Sequence, residues 1–540
     1  MSAGRINFKD ARQFLLLVKD ATHTEVAKEV VGTGDGATKT FTATIAKTSV
    51  EGGSLTVGGD GATESFTDNG DGTLTGSAGG SGTYNTETGA LSITFNTAPG
   101  LGDDVELGYW YLAVKGSNMV WAEQIKDGFD SDPETQNPST GGFHGAEPSP
   151  GDFWYEPSYM TILSNTTGWA EVDDEVVGTG DNSTTTFSGT LANPGIHSEA
   201  YTTPTDGAGS DLNTLLFTDG TESFTDADGD GVLVGDAGGS GTINYATGAW
   251  SLVFNAAPGA AQAITCDYTH LPLPECEEAH LISGHARTWT ESDTEGYWGY
   301  SPTPYAHAEY GARIIREETG GLKALDHRMD KVRALATYKA GVGERIMAEL
   351  KGFGAARTEP VTCDNPTRGL LPSEPALVNS QAVLTLKVYL TGETQTFTGR
   401  LVGAFEVRPP FEVERLDSAT GDNSGGTVAV ELNAPQGKRA EVDLQVQLTL
   451  PGDFNTRRAF IKGRRVDTTL GWKNRAETDK GIRYTCTGYA KKVEAGTYKE
   501  VVLAGLKLEL MHGLPGDTNV GRDTTLPLGQ WQYYVTKPTA

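Results

Sequence analysis

The sequence predicts a mainly β, multidomain protein: antiparallel β-sandwiches or barrels, with one helical segment near 322–350. Three observations carry that expectation. Short apolar–polar alternations, bounded by Gly, Asn, Asp and Pro, recur through most of the chain. Glycine makes up 70 of 540 residues, nearly twice its usual share of about 7%. One stretch of about 80–90 residues occurs twice, the signature of a duplicated structural unit.

The duplication organises the chain. Val30-Val31-Gly32-Thr33-Gly34-Asp35 recurs as Val176-Val177-Gly178-Thr179-Gly180-Asp181, and Thr63-Glu64-Ser65-Phe66-Thr67-Asp68 as Thr221-Glu222-Ser223-Phe224-Thr225-Asp226. Ala78-Gly79-Gly80-Ser81-Gly82-Thr83 matches Ala237-Gly238-Gly239-Ser240-Gly241-Thr242, and Ala98-Pro99-Gly100 matches Ala257-Pro258-Gly259. The offset grows from 146 (Val30 to Val176) to 159 (Ala78 to Ala237), so the second copy holds extra loop residues, which the stretch Ile196 to Asn213 supplies. We place repeat 1 at 32–111 and repeat 2 at 178–269. Body segments lie at 1–31 and 112–177, an aromatic junction with the helical segment at 270–375, and a C-terminal β domain at 376–540.

Each element has its own signal. Thr40 to Ile45, Ser54 to Val57, Leu91 to Phe95 and Val105 to Tyr109 alternate with period two, as do Trp250 to Phe254 and Ile264 to Tyr268. Turns such as Asn69-Gly70-Asp71-Gly72 require φ > 0, which glycine adopts without a Cβ penalty. Leu322, Leu325, Met329, Val332, Leu335, Tyr338, Val342, Ile346 and Leu350 recur at spacings of three and four, which predicts a helix bent at Gly341 and Gly343. Beyond residue 380, Val383 to Leu390, Val428 to Leu432, Val442 to Leu450 and Leu506 to Leu510 alternate as strands.

Charge narrows the functional classes. The net charge is −29, which argues against general nucleic-acid binding. The 160 residues between Lys126 and Arg287 contain no Lys or Arg and 25 Asp and Glu. The basic residues gather later, with Arg457, Arg458, Lys462, Arg464 and Arg465 as a candidate assembly interface that an acidic surface of another copy would complement. No apolar run approaches the ~20 residues of a spanning helix, and Leu15-Leu16-Leu17-Val18 is short for a signal peptide. We therefore expect no membrane partner and no Sec export.

Four motifs bear on chemistry. Asp226-Ala227-Asp228-Gly229-Asp230-Gly231 begins like a calcium loop, with Asp226, Asp228 and Asp230 as candidate ligands, but Ala237 stands where the bidentate Glu belongs. Acidic hairpin turns are the commoner source of such a run. Cys266, His270, Cys276, His280 and His285 are zinc-type ligands without a Cys-x2-Cys knuckle, so a buried thiol and surface histidines account for them. Trp289, Tyr297 and Trp298, interleaved with acidic residues, are candidate glycan-stacking rings; packing at a domain junction is the plainer alternative. The chain lacks a Gly-x4-Gly-Lys-Ser/Thr loop, a Gly-x-Ser-x-Gly elbow and His-Glu-x2-His, so we expect no enzyme and no cofactor apart from calcium.

Gly32 to Phe41, the Asp-Asn-Gly-Asp-Gly turn, Gly82-Thr83-Tyr84-Asn85, Thr88-Gly89-Ala90 and Asn96-Thr97-Ala98-Pro99 together resemble a module of tailed-bacteriophage virion proteins. Leu384 to Tyr389, Gly399 to Phe405 and Phe411 to Leu416 are similar to strands of tail-tube subunits. The resemblance implies a virion protein made in the host cytoplasm. It implies a homo-oligomer that meets other virion proteins and has DNA only as passing cargo. A self-assembling tail or neck protein with outward β-modules is the leading expectation. A glycan-binding fibre or a capsid decoration protein are the alternatives.

Overall fold

The computed structural model describes residues 13–537, apart from 20–22, 60–63, 87, 113–118, 122–123, 132–134, 137–146, 149–152, 163–167, 199–214, 293, 304–309, 318–322, 357–360, 365–376, 380–381, 391–392, 410, 418–426, 434–440, 449–464, 474–478, 499–500 and 510–528. Among the described residues the chain is antiparallel β-sheet with one α-helix, Glu277–Ile282.

The two repeats fold alike. In each, the first strand pairs with the last, the last with the third, the third to seventh form a meander, and the seventh pairs with the second. The first strand (Thr24–Thr33, or Ala170–Thr179) touches the second (Thr40–Thr44, or Thr186–Thr190) without pairing to it, so each sheet is a barrel open at one seam. Closing most of the edge in this way limits unpaired backbone, which an open eight-stranded sheet would expose. The interiors repeat down to ring geometry. Phe95 meets Phe41 and Phe66 edge-on at 5.8 and 5.0 Å, and Phe254 meets Phe187 and Phe224 at 5.7 and 4.9 Å. Such edge-to-face pairs add about 1 kcal/mol each to the burial of their area.

The first module stands where a hairpin turn would, between Gln13–Lys19 and Met119–Trp121, which pair through Leu16 and Met119. The second lies between Phe153–Ile162 and the helix. Both grow from a body whose strands form one 17-stranded sheet. Residues 270–375 and 376–540 are not separate bodies. Glu295–Pro302 pairs with Gly529–Thr536, and Lys323–Ala340 with Glu393–Arg408. One core holds Leu271, Trp298, Tyr338, Trp472 and Trp531 together. Two long strands turn this sheet on itself. Glu393–Arg408 pairs first with Val383–Leu390 and then with Glu441–Leu448; Lys480–Tyr498 pairs first with Arg465–Lys473 and then with Val501–Glu509. Register shifts between Leu401 and Phe405, and between Ala490 and Lys492, mark the corners, as bulges do when a strand passes between sheets.

The helix expected at 322–350 is absent. Strands Lys323–Ala340 and Met347–Ala356 stand there as a hairpin, with Gly343 at φ +75 in the turn. The period-three-and-four count used only the large apolar residues. From Val332 on, the buried apolar residues are Val332, Ala334, Ala336, Tyr338 and Ala340, a period-two series in which alanines carry the core face. Alanine favours helices in isolation, but here cross-strand pairing and burial outweigh that preference.

Candidate functional site

Carboxylates organise both modules from inside. Asp226 accepts hydrogen bonds from the amides of Gly229 (2.8 Å) and Gly231 (2.6 Å) and from the Tyr245 hydroxyl (2.6 Å). In the first module Asp68 takes the same part, accepting from Gly53 N (2.7 Å), Gly70 N (2.8 Å) and Tyr84 Oη (2.6 Å). Burial would raise Asp226, but the hydroxyl and amide donors outweigh it and hold the carboxyl below its usual range. Asp226, Asp228 and Asp230 do come together, with one oxygen each within 4.8 Å of the others. The same carboxylates also hold their own turn. Asp226 spends both oxygens on amide and hydroxyl donors, and Asp230 accepts from Val232 N at 2.8 Å.

Bulges aim a second pair of carboxylates inward. Register shifts on either side of Glu29, and equally of Glu175, turn these side chains toward a tyrosine of the last strand. Tyr109 donates to Glu29 and Tyr268 to Glu175, both at 2.5 Å, and the amides of Ala46 and Ala192 complete the pattern. Glu64 accepts from Ala78 N, Gly80 N and Asn96 N.

The modules join the body at one equivalent corner. In the first module it is Ser49-Val50. Arg328, fully buried on strand Lys323–Ala340, donates to Ser49 O (2.9 Å) and Val50 O (2.8 Å). In the second it is Gly195-Ile196. A Cβ on Gly195 would stand 2.9 Å from Trp298 Cε2, so only glycine lets the corner rest on that indole. Beside it, His197 Nδ1 pairs with Glu291, Ser198 N donates to Glu291 at 3.0 Å, and Lys537 Nζ lies 3.1 Å from Glu291. Burial alone would raise Glu291; the His197 and Ser198 hydrogen bonds and the neighbouring positive charge lower it. Trp169 packs edge-on against Trp289 and donates to Thr536 O.

These joints decide the aromatic and zinc expectations. Trp298 is 1% exposed, with its Nε1 bonded to Leu271 O at 2.8 Å, and cannot stack an incoming sugar ring. Cys266 lies in the second module's core, while Cys276 and His280 lie in the body's core. His280 is sandwiched between the rings of Tyr300 and Tyr338 and bonds Tyr338 Oη and Tyr533 Oη, each at 2.6 Å. Burial holds His280 well below its usual pKa and His285 down to about 4, so both are neutral packing groups and not surface histidines. Of the candidate assembly cations, Arg457, Arg458, Lys462 and Arg464 lie outside the described residues. Arg465 is 5% exposed, spends two nitrogens on Asp467 and stacks over Tyr389, so it is not a surface cation.

Tyr297 is half-buried and lines a cleft of about 600 Å³ on the outer face of the body sheet; Trp289 borders it too, but its ring packs against Trp298 and Trp169 on the body core. Thr288, Thr290 and Tyr297 stand on one side, Thr469, Thr485 and Thr487 on the other, with Gln530 and Gln532 on the strand between. The register places Thr398, Thr385, Thr469, Thr485 and Gln530 in one row across five strands. Gln530 reaches over Gly299, where a Cβ would displace it, to Thr288 Oγ1. Gln532 donates to Gln530 at 2.6 Å, Arg483 donates to Gln532, and Arg483 is held by Glu295. Sequence reasoning missed Arg328, Gly195, His197, Lys537 and this threonine row. The local signal for the row, Thr485-Cys486-Thr487 beside Thr468-Thr469, is ordinary for any strand. No family model matches the chain, and no curated protein matches it.

Proposed function

We propose that this chain is a non-enzymatic structural subunit of a tailed-bacteriophage virion, a self-assembling tail or neck protein whose two β-modules project from a continuous body. The observation that carries the reading is the way the modules are joined. Each closes through its own first and last strands, and each rests on the body at an equivalent buried corner, so a body sheet can stack while the modules remain as fixed decorations. The buried state of Cys276, His280, Tyr338 and Tyr533 supports a structural role for this group of thiol, imidazole and phenol side chains. The net charge of −29 supports DNA as passing cargo rather than as a bound ligand. Negative-stain electron microscopy of the purified full chain at moderate salt tests the proposal. Rings or stacked tubes are expected; uniformly dispersed monomers across a range of salt and protein concentrations would overturn it.

A further inference from the structure

We infer that the cleft on the outer face of the body sheet binds a neutral oligosaccharide. The inference stands apart from the assembly reading, because it rests on the cleft's chemistry alone. Its volume, about 600 Å³, is that of a small-ligand site. No Lys or Arg is among its lining residues, and the one charged group, Asp467, is held by Arg465 and by the Tyr389 hydroxyl at 2.7 Å. That arrangement disfavours phosphate, sulfate and carboxylate ligands, which need unspent cations. What the lining offers is hydroxyls and methyls of threonine, two glutamine amides and the Tyr297 side chain, the mixed polar and apolar surface that a sugar presents in mirror image.

The site is also built in advance. The Thr288–Gln530–Gln532–Arg483–Glu295 chain of hydrogen bonds fixes the glutamines, which are 6% and 7% exposed, so their ordering cost is met before a ligand arrives. The pairing register, not local sequence, brings Thr469 and Thr485 side by side in this face.

The test titrates the full chain with cellohexaose, maltohexaose, chitohexaose and a sulfated hexasaccharide by isothermal calorimetry. At least one neutral hexasaccharide should bind, and the sulfated one should not. Thr469→Arg and Thr487→Arg place a long cation in the cleft from outward positions and should each weaken binding at least about tenfold, the effect of roughly 1.4 kcal/mol. Thr398→Arg, on the same row of threonines but outside the cleft, should leave binding unchanged, and circular dichroism should confirm that all three variants fold. Absence of binding to every neutral saccharide, preference for the sulfated one, or full affinity in both cleft variants would overturn the inference.

Discussion

In the first module the corner at Ser49 and Val50 is held by a buried guanidinium; in the second, the same corner, Gly195 and Ile196, rests on an indole and is flanked by a histidine hydrogen-bonded to Glu291. Around the corner the two barrels are nearly interchangeable. Val50 bridges Tyr111 as Ile196 bridges His270, and Ser49 and Gly195 share a positive φ, 60 and 77. Asp35 and Asp181 cap the same turn, each accepting two amides, and those donors hold Asp35 down to about 2. The outward faces differ. Val232, Val234 and Val253 of the second module are exposed where the first has Thr73, Thr75 and Thr94. Threonine and valine have nearly the same shape, so an outward barrel position takes either. Duplication therefore preserved what closes the barrel and left the attachment free to be solved twice, once by charge-assisted hydrogen bonds and once by close packing.

Three experiments bear on that contrast. The largest effect is expected from Arg328→Met. It removes both donors from two buried carbonyls and should weaken the first joint by about 3 kcal/mol. Hydrogen exchange at Val50 and Leu112 should accelerate while exchange at Ile196 does not; equal change in both modules would show that the corners are coupled through the body. Next, Gly195→Ser gives the second module the first module's residue. Its side chain meets Trp298, and the second joint should lose about 2–3 kcal/mol, read as faster exchange at Leu271. No change would mean that the indole is not the support.

The smallest effect is acid-dependent. Burial holds His270 down to about 4, against partial opposition from Glu175. A depressed histidine stabilises the fold above its unfolded value and loses that contribution as the pH falls toward the folded one. The second module should therefore weaken between about pH 6.5 and 4, by about 2 kcal/mol once solvent screening is allowed for. The first module, with Tyr111 at the matching position, should not weaken in that window. His270→Tyr should remove the difference, and module-resolved exchange across the pH range measures it.

How much of this was legible beforehand varied with the range of the interaction. The module strands could be read because their alternation and glycine turns lie within a few residues of one another. Lys323–Ala340 could not, because Ala334, Ala336 and Ala340 become core residues only when a neighbouring strand covers them. Trp298 read as a sugar-stacking ring because nothing local announces that Gly195, a hundred residues earlier, will lie on it. Asp226 stood out as a candidate calcium ligand because the run of aspartates is local, whereas the Tyr245 hydroxyl that it also holds comes from outside that run. Of the candidate cleft, Trp289 and Tyr297 were visible as residues, but their partners Thr469, Thr485 and Gln530 were not.

By itself, the sequence determined the duplication, the antiparallel β character of both copies and the acidity of the middle of the chain, because residue type, spacing and charge need no knowledge of distant partners. Only the tertiary structure decided that strands as far apart as Glu295–Pro302 and Gly529–Thr536 share one sheet, that both modules dock through the same corner, and that threonines from separate strands meet in one face. Strand register and burial are set by pairing across hundreds of residues, and a one-residue slip would send each of those side chains to the opposite face.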